Sequence, residues 1–386
     1  TLMTERITKF NLTSQKTMQL AAVLGASFDP KILGVISFKT RKEVLYELSE
    51  PIKEGLLIPV ELGLHFSHDR VQESAYEMIA VEKREAIHLN VARLLLAEVS
   101  RLDFQDRIFE IAGHFIKGIA LISDEAEKQQ VAELFLQASD KAVNASAFES
   151  SLQYSSIAID QLLTNDSWKT DYELTWQLYR NKGYCEYTTL KLEDSEKTLV
   201  LCLDKSQTQD HKVIIHAIYS RLLFQMNKHH EGIQNTRNAL AYLGINVPQK
   251  ITSWHVAWLV IKVRFEMGLL RRPEALLKMA STHDPLVLNI SRVLYDSVES
   301  SYMVDANTMA YFSLLITQLC VKNGNSTYAP FAYGMLSLVL AGKTREFSLA
   351  DRFAKMGLAL NIKLPDKGVR GRVHMLAANF THHWIN

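Results

Sequence analysis

Gly342-Lys343-Thr344 has the form of the tripeptide that closes a phosphate-binding loop, so it is the first place to look for nucleotide chemistry. Such a loop needs another glycine five positions before the second, so that backbone amides curl around phosphate, and it follows a strand. Position 337 is Ser337, and Phe331 to Ala341 has a helical pattern, so these three residues read as a turn between helices. Imidazoles cluster at His65-Phe66-Ser67-His68-Asp69, at His229-His230 and at His382-His383. On a strand, positions 65 and 68 fall on opposite faces, and adjacent residues on a helix do not face one another, so neither spacing gathers ligands around one metal. No His-Glu-x-x-His, Cys-x-x-Cys or Gly-x-Ser-x-Gly string occurs. With 16 glycines among 386 residues, there is little loop on which to mount catalytic groups. The expectation is a chain with no catalytic residue, metal or cofactor of its own.

A pattern of small residues says more. Ser139, Ser151, Ala158, then Gly183, Ser195, Cys202, then Ser220, Gly232, Ala239 share one internal spacing, twelve and then seven. A looser copy, Ser337, Ala350, Gly357, has one extra residue in its turn. Helix–turn–helix repeats of the tetratricopeptide kind mark their tightest contacts in this way, one small residue on the first helix and two, a heptad apart, on the second. The predicted fold class is all-α, a TPR-like helical-repeat superhelix, and such an array is a surface for binding protein partners.

The chain is 47% apolar and 22% charged, with a net charge of +1. That balance gives no electrostatic reason to expect nucleic acid or an anionic membrane as partner. Cys185, Cys202 and Cys320 are scattered and odd in number, as in a reducing compartment. Trp254 to Phe265, the longest apolar stretch, is broken by Lys262 and Arg264 and is far shorter than the roughly 20 residues that span a bilayer. No signal peptide opens the sequence, and the expected location is cytoplasmic.

Residues 1–80 follow a different plan. Ser14 is placed to cap a helix with Met18, Ala21, Ala22 and Leu24 on its apolar face, ended by Gly25. Pro30 opens a second helix, and Thr40 with Glu43 forms a capping box for a third, with Val44, Leu45 and Leu48 inward. Two strand-like runs, Leu56 to Val60 and Leu64 to Ser67, flank the turn Glu61-Leu62-Gly63, and a helix follows from Asp69 to Ile79. Three helices and a β-hairpin is the order of a winged helix. Its third helix carries Arg41, Lys42, Glu43, Glu47, Glu50, Lys53 and Glu54, a mixture that would repel phosphate as much as attract it. A packing module is therefore expected, not a DNA-binding one. Residues 81–122 read as a helical connector, and 123–386 as the repeats, although 249–284 fit the pattern poorly while Trp254, Trp258, Ile261 and Phe265 keep a helical period.

Phe66-Ser67-His68-Asp69-Arg70-Val71-Gln72-Glu73-Ser74-Ala75-Tyr76 closely resembles the F-x-H-D-R-V-Q-E-A-A-Y signature that follows the ATPase module in large bacterial hybrid signalling proteins. Its characteristic positions are Phe66, His68, Asp69, Arg70, Gln72, Glu73 and Tyr76. In those proteins a Ser/Thr kinase-like domain often precedes an AAA/STAND-type ATPase, a helical-repeat region, a GAF domain and a sensor histidine kinase. The resemblance covers essentially the whole chain, from Leu20–Phe28 through Ala142–Leu163 and Gly183–Tyr187 to Lys367-Gly368 and Asn379–Trp384. Ala378 stands where the family has Gly, and His382 where it has Asn.

The resemblance implies a regulatory segment that couples partner binding on the repeats to ATPase and kinase output. ATP and Mg2+ are then expected in an upstream module, with a protein or an upstream domain as partner, no nucleic acid and no membrane contact. The same architecture also serves STAND-type transcriptional regulators and cyclases, and a stand-alone TPR adaptor is the third reading. Asp69 is placed to cap the helix after the hairpin and to pair with Arg70. The chain lacks an initiator methionine, and Val373 to Trp384 reads as the first helix of a further repeat with Ala378 at its small position. Both ends are thus expected to be cut.

Overall fold

The computed structural model describes residues 2–61, 63–98, 101–268, 273–364 and 366–378, divided into two compact units, Thr1–Cys185 and Glu186–Asn386. The first unit opens with α1 (Leu2–Ile7), α2 (Leu12–Leu24), β1 (Ser27–Phe28), α3 (Pro30–Ser37), α4 (Arg41–Glu47), α5 (Ser49–Lys53), β2 (Leu57–Val60), β3 (Gly63–Phe66) and α6 (Asp69–Glu77). The three strands form an antiparallel sheet in the order β1-β3-β2, with Phe28 opposite Leu64 and Leu57 opposite Phe66. Helices and sheet enclose one core that includes Phe28, Leu33, Val44, Leu48, Leu64 and Phe66, the two phenylalanine rings 5.7 Å apart. This is a winged helix. Gly63 is needed where the hairpin turns onto β1: its φ is 148°, and a Cβ there would lie 2.3 Å from the Phe28 carbonyl oxygen.

Local signals explain most of these boundaries. Asp29 accepts from the Lys31 amide ahead of Pro30, and Thr40 and Glu43 bond each other's backbone amides. The cap on α2 is Asn11, not Ser14: the Ser14 amide donates to Asn11 Oδ1, and the buried Ser14 hydroxyl turns away to the Glu47 carbonyl at 2.6 Å. His68, not Asp69, caps α6, its Nδ1 accepting from the Arg70 amide. The expected third helix is two, divided at Leu48. Leu62 of the hairpin turn lies outside the described residues.

The unit continues through α7 (Val81–Glu98), α8 (Arg101–Gly118), α9 (Glu125–Asn144), α10 (Phe148–Ile157), α11 (Ser167–Thr170) and α12 (Tyr172–Thr188), whose residues beyond Cys185 belong to the second unit. There follow α13 (Leu192–Lys205), α14 (Gln209–Gln225), α15 (His229–Tyr242), α16 (Ser253–Met267), α17 (Pro273–Leu276), α18 (Pro285–Val304), α19 (Ala306–Asn323), α20 (Ala329–Val339), α21 (Phe347–Lys363) and α22 (Lys367–Leu376). The fold is all-α apart from the small sheet, and within each unit helices pack as hairpins: α9/α10 in the first, and α14/α15, α18/α19 and α20/α21 in the second.

One turn between consecutive helices recurs at four places. Ser146, Leu190, Asn227 and Arg345 are all left-handed, with φ of 60°, 63°, 59° and 57°. Each stands five residues before the first small residue of its second helix, Ser151, Ser195, Gly232 or Ala350. In the first three turns the residue after the left-handed one donates its amide to a carbonyl five residues back, Ala147 to Ala142, Lys191 to Glu186 and Lys228 to Leu223, each at 2.8 Å. In the fourth, Glu346 reaches six residues back to Leu340, because Leu340–Thr344 winds as a π-helical turn. That turn holds Gly342-Lys343-Thr344 and absorbs the extra residue seen in the spacing.

Residues 249–284, which fit the repeat poorly, form α16, α17 and an irregular stretch fastened by Asn325, whose side chain donates to the Leu276 carbonyl at 2.7 Å. The last described helix starts at Lys367, not at Val373, because Asp366 accepts from the Gly368 and Val369 amides. Ala378 is exposed, and Asn379–Trp384 with His382-His383 lies outside the described residues. Among the described residues no helix is long and apolar enough to cross a membrane.

Candidate functional site

The signature residues are brought together on and around α6. Phe66 is buried beneath it and His68 caps it. Gln72 donates from Nε2 to the Ala22 carbonyl at 3.1 Å, pinning α6 to the end of α2. Arg70 is exposed. Asp69, Gln72, Glu73 and Tyr76 line a groove of about 510 Å3, closed on the far side by Phe109, Glu110, His114 and Lys117 of α8.

Behind that wall lies a chain of hydrogen bonds that the sequence did not announce. Tyr76 Oη meets His88 Nε2 at 3.0 Å, and His88 Nδ1 meets His114 Nδ1 at 2.9 Å. Both imidazoles are buried. Burial, reinforced by the charge of Lys117, lowers the His88 pKa to about 3. Burial likewise lowers His114 to about 4, with Glu110 opposing the shift. Both rings are therefore neutral near pH 7. One Nδ1 must then donate to the other, so the two tautomers are set as a pair. The only hint in the sequence was that His88 and His114 each sit at an inward position of an amphipathic helix, where histidine is commonly just a core residue. The groove presents Asp69 and Glu73 against Lys117, while Glu110 is held at 2.9 Å by both arms of Arg107.

In the repeats, the small positions are contact points. Ser139, Ser151, Ala158, Ser195, Cys202, Ser220, Ala239 and Ala350 are all buried, as are Gly183, Gly232, Ser337 and Gly357. In the α9/α10 hairpin the Ser139 hydroxyl bonds those of Ser151 at 2.7 Å and Ser155 at 2.8 Å, and Asn181 of α12 donates to it at 3.1 Å. These positions thus exchange hydroxyl hydrogen bonds as well as sparing room. In α14/α15, Asn235 spans the pair, donating to the His216 carbonyl and to Ser220 Oγ. A Cβ on Gly232 would stand 3.0 Å from Ser300 Oγ of α18, and one on Gly357 would stand 2.8 Å from the Pro330 carbonyl oxygen of α20. Lys343, the lysine of the phosphate-loop look-alike, donates to Asn307 at 3.2 Å.

Two further features of the second unit were not legible in spacing alone. Arg221 of α14 donates from Nε to Asp296 Oδ1 at 2.8 Å, deep under α18, where burial pushes the Asp296 carboxyl above its ordinary pKa. Nearby, an apolar groove of about 200 Å3 is lined by four methionines, Met303, Met309, Met335 and Met375. Among the described residues, no group of three or more His, Cys, Asp or Glu is placed to hold a metal. The three cysteines are buried thiols without disulfides.

No protein-family model matches the chain. Hybrid signal transduction histidine kinase G of Dictyostelium discoideum is 20% identical over an alignment 466 positions long, which takes in all of this chain and 14% of that protein. The chain therefore spans about a seventh of the relative it matches. A crystal structure of a signal transduction ATPase with numerous domains, carrying a tetratricopeptide repeat sensor, from Pyrococcus horikoshii overlaps 98% of this chain and 64% of its own at 13% identity. Its TM-score is 0.28, too low to bear on function or on fold.

Proposed function

We propose that this chain is the regulatory, protein-binding segment of an ATPase-linked signalling protein with kinase output. In this reading residues 1–80 are the winged-helix end of an ATPase module, 81–122 a connector and 123–386 the sensor repeats. The observation that carries it is the order of parts: a winged helix with the signature string along its groove, followed by hairpins that repeat one turn and one set of small contacts. The alignment of the whole chain with a hybrid signal transduction histidine kinase supports the same reading. Such a device needs only a partner that binds one state of the protein better than the other. A swing from 1:99 to 99:1 takes about 5.5 kcal/mol of differential affinity. ATP and Mg2+ belong to a module outside this chain, and the buried thiols fit a reducing, cytoplasmic setting.

The test is ATP turnover by a protein that joins the ATPase module to this chain, with and without residues 123–386. Turnover should change several-fold when the repeats are removed. Turnover indifferent to their removal would overturn the coupling.

A further inference from the structure

Helix α16 is apolar on two faces, and only one of them is used. Val256, Leu259, Val260 and Val263 are buried, and the helix packs on α19. On the opposite side Trp254, Trp258, Ile261 and Phe265 are 75%, 53%, 66% and 84% exposed. A helix apolar all round is ordinarily covered all round. The exposed four are spaced four, three and four residues apart, so at 100° per residue they point within an arc of about 60°. That is the narrow a/d seam of a coiled coil, with Trp254 and Ile261 at d and Trp258 and Phe265 at a. An interfacial membrane helix presents a broader apolar face, and the stripe has none.

The flanks say what kind of helix fits. The e and g positions are His255, Lys262, Ala257 and Arg264, with no carboxylate among them. Lys262 reaches over the Trp258 ring at 4.9 Å, His255 bonds Thr252, and Arg264 pairs with Glu346. Glu266, the acid within α16, turns away to Gln318 and Lys322 of α19. Two copies of this seam would set Lys262 against His255 when antiparallel and against Ala257 when parallel, and in neither orientation would a cation at e or g meet a carboxylate at e or g. We infer that α16 is a docking seam for an amphipathic helix of a protein partner, apolar at a and d and acidic at e and g. This rests on the reading of the repeats as a partner-binding array and names the surface within it.

The test uses the full chain and two synthetic 21-residue helical peptides with Leu at a and d, one bearing Glu and the other Lys at e and g. Fluorescence anisotropy should give micromolar binding of the Glu peptide, weakened at least tenfold for the Lys peptide. Trp254→Ser with Phe265→Ser should abolish it; both side chains are largely in solvent, and an unchanged melting curve would confirm that the fold persists. Equal binding of the two peptides, or none, overturns the seam. So does sedimentation with phosphatidylserine vesicles, or self-association, that the double variant removes while neither peptide binds. Met303→Glu, in the methionine-lined groove, should leave binding intact. Binding lost in Met303→Glu and kept in the double variant would move the partner off α16 while leaving the array reading in place.

Discussion

Gly357→Ala and Gly371→Ala make the same chemical change on neighbouring helices, and the structure predicts opposite outcomes. At Gly357 the new methyl carbon would lie 2.8 Å from the Pro330 carbonyl oxygen and 3.5 Å from the Gly334 nitrogen, both backbone atoms of α20 that cannot rotate away. An ordinary carbon–oxygen contact is about 3.4 Å, so α21 must move outward by roughly half an ångström. Over-packing of this kind costs about 1–3 kcal/mol, and replacing glycine within a helix returns about 1 kcal/mol. The net is a loss of up to about 2 kcal/mol. At Gly371 nothing lies within 4 Å, so only the helical gain of about 1 kcal/mol remains. Urea unfolding followed by far-UV circular dichroism should therefore move the midpoint down for Gly357→Ala and up for Gly371→Ala, at a common m-value. Midpoints that shift the same way and by the same amount would refute the claim that the small residues mark a backbone-to-backbone crossing.

The buried imidazoles predict an acid-side weakness. Both folded-state pKa values lie below the ordinary 6.5, so the unfolded chain takes up protons first. Stability should be full above about pH 6.5 and fall as pH drops towards 4, by at most about 1.4 kcal/mol per pH unit per histidine. His114→Gln should flatten that slope, and an equally steep slope in the variant would count against it. Leu190 is exposed at φ 63°, so Leu190→Gly should raise the melting temperature by relieving about 1 kcal/mol of backbone strain, and Leu190→Val should lower it; the reverse order would refute the assigned turn. The isolated chain should neither bind nor hydrolyse ATP, and a micromolar site in calorimetry, lost on Lys343→Ala, would revive the phosphate loop. The chain should also leave duplex DNA unshifted in a gel at moderate salt. That expectation rests on the exposed Glu43, Glu50 and Glu54, because Glu47 is committed to Thr17 and Lys39 instead of facing outward with Arg41 and Lys42.

What the sequence made legible were features with a local cause. Pro30 and the Thr40–Glu43 box each act within one turn, and each opens its helix where expected, while the twelve-and-seven spacing falls on residues that are buried. What it hid depends on partners distant in the chain. β1 is only Ser27 and Phe28, held by pairing with residues 64 and 65. Ser14 has the chemistry of a cap, but a carbonyl 33 residues away claims its hydroxyl. His88 and His114 are ordinary helix residues until α7 and α8 bring them together. The period of Trp254, Trp258, Ile261 and Phe265 was visible, but periodicity does not tell which of two apolar faces meets the core.

The π-helical turn at Leu340–Thr344 bears on how such an array tolerates change in length. One residue more separates the first and second helices there than in the other three turns, yet Arg345 stays left-handed and Ala350 and Gly357 reach their contacts. The surplus is taken up as a local widening before the turn, so the phase of the second helix is not disturbed. Single-residue insertions at the ends of first helices are thus nearly silent events for the stack. The same insertion inside a second helix would rotate every later position by 100° and expose the contacts. Length variation among descendants of such a repeat should gather at these junctions, and a designer who wishes to graft a loop onto the array would do well to begin there.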